Sequence, residues 1–165
     1  MKIIINNNMS IESKIKGVKI IPLKKFEDER GWLTEIWRRD EIEAKETPVM
    51  TYISMTKPGV ARGPHEHVAQ TDLFGFIGPS IFRMYLWDNR ESSETYGEKM
   101  EFDVGEGEPT VVIVPEGVVH AYKNVGDKDG LVVNCPNQLY AGEGKKEEVD
   151  EIRHEADPDS KFKID

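Results

Sequence analysis

The sequence predicts a single all-β domain of the sandwich or barrel class, on three observations. From Gly17 onward, short apolar or alternating runs follow one another at the spacing typical of such folds. Turn-forming residues separate the runs. Helical composition is confined to two short segments, 40–45 and 145–155, and the second is so charged that a solvated surface is expected there.

Nine runs are predicted as strands. In chain order they are 18–23, 33–38, 49–55, 72–77, 80–87, 99–104, 110–114, 120–125 and 131–135. The run 80–87 alternates most clearly, since Phe82, Met84 and Leu86 project to one face while Arg83 and Tyr85 project to the other. One face of this strand is therefore expected in the core.

The connections between the runs carry glycine, proline or aspartate, and no repeat or linker divides the chain. The expected domain spans residues 17–144. A flexible tail, 1–16, is expected before it, and a charged segment, 145–165, is expected to pack on it. At 165 residues the chain can bury a core without disulfides or a structural metal.

Composition excludes several classes of partner. The formal net charge of −9 argues against a nucleic-acid or anionic-membrane binder, because such proteins collect positive charge. The apolar stretch near the N-terminus is too short for a signal peptide or a membrane span. The single cysteine, Cys135, suits a reducing compartment and a packed thiol. We expect a cytoplasmic protein.

Three of the four histidines lie in two short segments that look like strand ends. Residues two apart on a strand share a face, so His65 and His67 project together. A third imidazole from His120 and a carboxylate from Asp72 would complete a site suited to zinc, iron, manganese or nickel. The fourth histidine, His154, lies in the charged segment and is expected on the surface.

The spacing of these residues resembles the two sequence motifs of the cupin superfamily. The first motif matches His65-x-His67 and Asp72, with aspartate where glutamate is usual, and the second matches Pro115-x-Gly117-x-x-His120. The resemblance implies a double-stranded β-helix, the cupin jelly roll, with its pocket between two sheets.

A narrower resemblance extends from about Phe26 to the C-terminus. The segments 28–35, 59–65, 87–90, 93–97, 114–120 and 157–158 look like those of the dTDP-4-dehydrorhamnose 3,5-epimerase family. This similarity implies an isomerase whose substrate is a nucleoside-diphosphate 4-keto-6-deoxyhexose. The ketone acidifies the neighbouring C–H groups, so the reaction begins with proton abstraction.

The same resemblance implies roles for individual residues. His65 matches the family's base and Asp157 the aspartate that orients it, with His120 beside them. A carboxylate next to an imidazole is chemically sensible for general-base catalysis. Substrate-binding positions follow from the same match: Arg30, Glu35, Arg62 and Asn134. Family members pair through sheet edges, so a homodimer is expected.

Two positions depart from the family pattern. Asp72 replaces a lysine that helps to stabilise the enolate, and Asn134 replaces the tyrosine proposed as proton donor. A divalent cation held by His65, His67, Asp72 and His120 would restore the positive charge lost with the lysine. A ligated His65, however, could not also act as the base.

The missing tyrosine leaves the proton donor open. Tyr122 and Tyr140 are the candidates, and if neither acts, protonation would come from water or from one face only. Two further functions remain open as well. One is a metal-dependent cupin enzyme, either a dioxygenase or a metal-assisted isomerase. The other is a non-catalytic binder of sugar nucleotides.

Overall fold

Twelve β-strands make up the sheets of residues 13–165, the part of the chain that the computed structural model describes. In chain order they are β1 (Lys19–Pro22), β2 (Phe26–Asp28), β3 (Gly31–Leu33), β4 (Tyr52–Thr56), β5 (Ala61–Glu66), β6 (Asp72–Phe76), β7 (Ile81–Asp88), β8 (Lys99–Gly105), β9 (Thr110–Val114), β10 (Val118–Asn124), β11 (Gly130–Asn134) and β12 (Ile152–Arg153). The helical elements are three short 3₁₀ turns, Ala44–Glu46, Glu143–Lys145 and His154–Ala156.

The strands form two five-stranded sheets and one separate hairpin. The first sheet has the order β1-β9-β6-β11-β4, and the second has the order β12-β5-β10-β7-β8. Every pair is antiparallel, and β2 with β3 forms the hairpin. This arrangement confirms the predicted all-β jelly roll with two sheets.

The main core lies between the two sheets and follows the alternation of side chains along each strand. From β7 it takes Phe82, Met84 and Leu86, as the sequence predicts, and from β6 it takes Phe74 and Phe76. These side chains are at most 4% exposed. Burial of a large apolar side chain stabilises the fold by about 1.5 to 3 kcal/mol, so this layer fixes how the sheets face each other.

Part of the outward face of each sheet is covered as well. Cys135 lies with Leu73 and Ile113 in a second apolar cluster on the first sheet. Phe162, near the C-terminus, packs against Trp87 of β7 with ring centroids 5.7 Å apart. The C-terminal segment therefore contacts the second sheet directly.

Several sequence expectations need correction. The predicted strand 33–38 is wrong, because only Leu33 belongs to a strand and that strand is half of a hairpin. The two segments with helical composition contain no α-helix: the first ends in a 3₁₀ turn, and the second combines 3₁₀ turns with strand β12. His154 is partly buried rather than on the surface, because it pairs with Glu66 at 2.8 Å and packs on Phe162.

Residues 13–16 of the predicted flexible tail lie in the described part of the chain. Residues 1–12 lie outside the described residues, but Ile15 is fully buried in the main core. Between residues 13 and 165, the chain forms no helix with the length and apolarity needed to cross a bilayer.

Candidate active site

Three histidines meet on the second sheet, as the sequence predicts. His65 lies on β5 directly opposite His120 on the neighbouring β10, and His67 follows the end of β5. The ring of His120 is 6.3 Å from that of His65 and 5.4 Å from that of His67, measured between centroids. Strand pairing therefore brings together two segments that are some fifty residues apart in sequence.

Asp72 supplies a carboxylate to this group from the opposite sheet. It is the first residue of β6 and is 1% exposed. Its Oδ2 atom lies 3.0 Å from Nε2 of His67 and 3.4 Å from Nε2 of His120. The potential ligand atoms of these three residues all lie within 4.8 Å of one another. His65, the fourth metal ligand expected from the sequence, is not part of this group.

The Nδ1 atoms of His67 and His120 face backbone carbonyls. Nδ1–H of His120 donates to the Val118 carbonyl at 3.2 Å, and Nδ1–H of His67 donates to the Asp150 carbonyl. In a neutral ring each bond fixes the hydrogen on Nδ1, and in a charged His67 the second hydrogen, on Nε2, is directed at Asp72. Within residues 13–165, Oδ2 of Asp72 accepts no hydrogen bond from a neutral donor.

Burial and neighbouring charges shift the pKa values of His67, Asp72 and His120 in different directions. Burial lowers the pKa of His120 to about 4, so this imidazole is neutral near pH 7. Burial also disfavours a charged His67, but the hydrogen bond and charge of Asp72 outweigh it and raise the pKa of His67. For Asp72, burial is outweighed by His67, His120 and Asn134, which lower the pKa of the carboxyl.

His65 pairs with a carboxylate, although not with the one expected. Its Nε2 atom lies 2.8 Å from Oε1 of Glu155. Asp157, the expected partner, instead accepts a hydrogen bond from the backbone N–H of Asp159 at 2.9 Å and is exposed. The reason is register: Arg153 of β12 pairs with His65, which places the turn containing Glu155 over the imidazole.

Asn134 is buried and hydrogen-bonded to two neighbouring side chains, so it does not face a substrate as expected. It is 2% exposed, and its side-chain nitrogen donates to Oδ1 of Asp72 at 2.9 Å and to the hydroxyl of Tyr52 at 2.7 Å. Gln70 donates a further hydrogen bond to the same Asp72 oxygen at 2.9 Å. Both Asp72 Oδ1 and the Tyr52 hydroxyl are thus tied to the end of β11.

A cavity of about 970 Å³ opens beside His67, and the other members of the group, His65, Asp72 and His120, are not among its lining residues. Its lining includes Met50, Tyr52, His67, Gln70, Tyr140 and Glu151. Tyr140 is half exposed at this cavity. Tyr122, the other tyrosine considered as donor, is 7% exposed in the aromatic core, where its hydroxyl lies 3.1 Å from that of Ser54.

The expected substrate-binding residues on the N-terminal side have local partners. Arg30, in the turn of the hairpin, pairs with Asp28, and Glu35 lies 3.3 Å from Arg38. Arg62 on β5 donates to Oγ1 of Thr56 at 3.0 Å and to the Met55 carbonyl at 2.9 Å. Among the described residues Arg62 has no carboxylate partner within 4.0 Å.

Asp150 anchors the C-terminal segment over the site. Its carboxylate accepts hydrogen bonds from three successive backbone N–H groups, those of Val68, Ala69 and Gln70, at 2.8 to 2.9 Å. Burial would raise the pKa of Asp150, but these three donors lower it. The anchor sets the position of the Asp150 carbonyl that accepts from His67.

Sequence reasoning missed Tyr52, Glu155 and Asp150. Tyr52 lies in a correctly predicted strand, and only the pairing of β4 with β11 reveals its contact with Asn134. The other two belong to a segment whose charged composition favours a solvated surface. The signal that could have found them is the pairing of that segment with the edge of β5, which composition does not encode.

Comparisons with known proteins agree with the fold. The model of the family described as dTDP-4-dehydrorhamnose 3,5-epimerase matches residues 12–161. The chain is 36% identical over 135 residues to the probable low-salt glycan biosynthesis epimerase Agl13 of Haloferax volcanii, covering 81% of this chain and 86% of that protein. It is 35% identical over 126 residues to the spore coat polysaccharide biosynthesis protein SpsL of Bacillus subtilis, with 76% and 82% covered.

A solved structure shows the same fold at lower identity. The crystal structure of a dTDP sugar isomerase from Desulfovibrio desulfuricans G20 matches with a TM-score of 0.79 and 22% identity, covering 93% of this chain and 94% of that one. Fold and sequence together define a jelly-roll enzyme of the isomerase class, a nucleotide-sugar epimerase. The chain belongs to the dTDP-4-dehydrorhamnose 3,5-epimerase family.

Proposed function

We propose that this enzyme epimerises a 4-keto-6-deoxyhexose linked to a nucleoside diphosphate, with His65 as the base. The observation that carries the proposal is the pairing of His65 with Glu155 beside the histidine and aspartate group. The imidazole takes the proton from a carbon next to the ketone, and the bonding electrons move into the enolate. Returning a proton to the opposite face inverts that carbon.

Glu155 serves this step by holding the imidazole. Its carboxylate accepts from Nε2–H of His65, which fixes the ring orientation and leaves Nδ1 as the nitrogen that can accept a proton. In the charged state of the imidazole, the same carboxylate stabilises the positive charge by ion pairing. This is the role that the sequence resemblance gave to Asp157.

The cavity favours the sugar over the diphosphate as the part of the substrate that enters. Its lining carries the carboxylates of Glu143, Glu147, Glu148, Asp150 and Glu151 against the single ammonium group of Lys145. Such a wall repels phosphate, whereas carboxylates accept hydrogen bonds from sugar hydroxyls. The diphosphate is then expected nearer the cavity mouth.

The role of His65 is tested by hydrogen exchange. Wild-type enzyme and His65→Asn are incubated with dTDP-4-keto-6-deoxyglucose in heavy water, and the deuterium content of the sugar is measured by mass spectrometry. The proposal expects exchange in the wild type and its loss in the folded variant, while His154→Asn keeps it. Exchange at the wild-type rate in His65→Asn would overturn the role.

A metal-assisted form of the same reaction has its own supporting observation. The buried Oδ2 of Asp72 accepts no hydrogen bond from any neutral group of the described residues. The Nε2 atoms of His67 and His120 both lie close to it. Two nitrogens and a carboxylate oxygen suit a divalent transition metal such as zinc, iron, manganese or nickel. A bound cation would polarise the substrate ketone and supply the positive charge that the family's lysine provides.

Such a cation would leave the base free. His65 Nε2 pairs with Glu155, so a cation held by His67, Asp72 and His120 does not require His65 as a ligand. Elemental analysis of protein purified without a metal column tests this form. About one equivalent of transition metal in the wild type and in His154→Ala, with none in His67→Ala, supports it. A metal-free wild type contradicts it.

We further propose that the enzyme acts as a cytoplasmic homodimer. The hairpin exposes Phe26, Trp32 and Leu33, and β4, at the end of the first sheet, exposes Ile53 and Met55. Exposed apolar strands at a sheet edge favour pairing with a second copy. Light scattering after gel filtration should give twice the 18.8 kDa chain mass, and Ile53→Glu should reduce it.

A further inference from the structure

Tyr52 and Asn134 form a cross-strand pair at the end of the first sheet. β4 and β11 are antiparallel, and these two residues lie directly opposite each other. Asn134 occupies the position where the family resemblance expects the tyrosine that donates a proton. The neighbouring strand β4 therefore carries a phenol directly opposite this position. The Asn134 side-chain nitrogen lies 2.7 Å from the Tyr52 hydroxyl oxygen.

The direction of the hydrogen bonds leaves the phenol proton available. The amide nitrogen of Asn134 has two hydrogens, and it donates to both Tyr52 and Asp72. The Tyr52 oxygen is therefore the acceptor in its contact with Asn134, and its own hydrogen can point elsewhere. Tyr52 lines the large cavity together with His67 and Gln70, so a bound sugar can receive that hydrogen.

We propose that Tyr52 is the proton donor of the epimerisation, an inference that rests on the proposed function. His65 removes a proton from the carbon next to the ketone, and that C–H electron pair forms the enolate. The enolate carbon then takes the proton of the Tyr52 hydroxyl on its other face, which leaves a phenolate. Water carries a proton from the His65 imidazolium back to the phenolate, so the enzyme is unchanged after each turnover.

The surroundings of Tyr52 suit this role. Burial of the hydroxyl, together with the charge of Asp72, raises the pKa of Tyr52 to about 12, so the phenol keeps its proton until the enolate needs it. The Asn134 N–H that faces the oxygen would then stabilise the phenolate through a charge-assisted hydrogen bond.

The other tyrosines near the site are less well placed. The Tyr122 hydroxyl is buried in the core and lies against Ser54, away from the cavity lining. Tyr140 lines the cavity, but within the described residues its hydroxyl contacts no group that would orient it or stabilise its anion. The Tyr52 hydroxyl has such a group in Asn134.

The test separates exchange of a proton from inversion of a carbon. Wild type, Tyr52→Phe and Tyr140→Phe are incubated with dTDP-4-keto-6-deoxyglucose in heavy water, and NMR follows both deuterium incorporation and product configuration. Tyr52→Phe should still incorporate deuterium through His65, because its base is intact, but inversion should fall at least a hundredfold. The matched control Tyr85→Phe removes a hydroxyl from a buried ring on β7 and should invert at the wild-type rate.

Each outcome has a defined meaning. Inversion by Tyr52→Phe at the wild-type rate would overturn the assignment, as would a loss confined to Tyr140→Phe. Loss of deuterium incorporation together with inversion in a folded Tyr52→Phe would also overturn it, because proton abstraction should not need this residue. If the wild type itself exchanges no carbon-bound proton, the proposed function has failed rather than this inference alone.

Discussion

His65 Nε2 and Glu155 Oε1 lie 2.8 Å apart, although the two residues are separated by 90 positions in the chain. Two features produce the contact. β12 adds to the edge of β5 with Arg153 opposite His65, and the following 3₁₀ turn carries Glu155 over the imidazole. A segment rich in charge thereby becomes one wall of the candidate active site.

Glu155→Gln should slow epimerisation more than Asp157→Asn does. The amide can still contact His65, but it lacks the negative charge that stabilises an imidazolium, so kcat should fall roughly tenfold to hundredfold. Steady-state kinetics of both variants compare the two carboxylates. A larger loss in Asp157→Asn would return the orienting role to Asp157.

Gly63→Ala should destabilise the fold more than Gly59→Ala does. Both glycines have positive φ, at 90° and 75°, so both substitutions strain the backbone. Only at Gly63 would a Cβ meet backbone, since it would lie 2.6 Å from the carbonyl oxygen of His120.

The expected cost is about 1 kcal/mol for Gly59→Ala and at least about 2 to 3 kcal/mol for Gly63→Ala. Urea unfolding measures both values. Equal costs at the two positions would show that β5 and β10 can separate without penalty, contrary to their close packing around the histidines.

Asp88→Asn should lower the free energy of unfolding at neutral pH. It should also make this free energy fall less steeply as the pH is lowered. Burial disfavours the charged form of Asp88, but Arg90, Thr95 and Ser93 outweigh burial and hold the pKa of the carboxyl well below its ordinary value of 3.8. A depressed pKa contributes stability above pH 3.8, and this contribution is lost as the pH falls toward the folded-state pKa.

We expect a loss of about 2 to 4 kcal/mol at pH 7 for Asp88→Asn, because the Arg90 guanidinium loses its buried partner. Unfolding free energies from pH 7 down to pH 2 test it. The control Asp103→Asn removes an exposed partner of Arg83 and should cost under about 1 kcal/mol. If the unfolding free energy of Asp88→Asn falls with pH in parallel with that of the wild type, Asp88 does not contribute this pH-dependent stability.

Asp150→Ala should loosen the C-terminal segment and weaken the site. It removes the acceptor of three backbone hydrogen bonds, so a loss of about 2 to 3 kcal/mol is expected. Hydrogen exchange should quicken at the amides of Val68, Ala69 and Gln70. The control Asp159→Ala, at an exposed turn, should leave these amides protected; unchanged protection in Asp150→Ala would refute the anchor.

The sequence predicts the fold better than it predicts the site. Alternation in strands such as β7 and turn residues between strands are local signals, and the alternation identifies the side chains that lie between the two sheets. The proximity of His65, His67 and His120 follows from local spacing plus one pairing of strands, whereas Asp72, on the opposite sheet, is expected only from the resemblance to the cupin motif. Their proximity could therefore be predicted, apart from the separation of His65 from the other three.

The remaining site residues depend on contacts that no local pattern encodes. Glu155 rather than Asp157 meets His65 because of the register of a two-residue strand, and one residue of register changes which carboxylate arrives. Tyr52 contacts Asn134 through a pairing of strands that lie far apart in the chain. The charged segment is positioned by a further set of contacts, the hydrogen bonds that the Asp150 carboxylate accepts from the backbone of residues 68–70.

The most direct test of the central claim is the position of deuterium in the sugar after incubation of the wild-type enzyme with dTDP-4-keto-6-deoxyglucose in heavy water. NMR distinguishes the carbons on either side of the ketone from all others. We expect solvent deuterium at one or both of these carbons, with inverted configuration, and at no other position. A sugar that binds but gains no deuterium next to its ketone would contradict the claim that this site abstracts a proton.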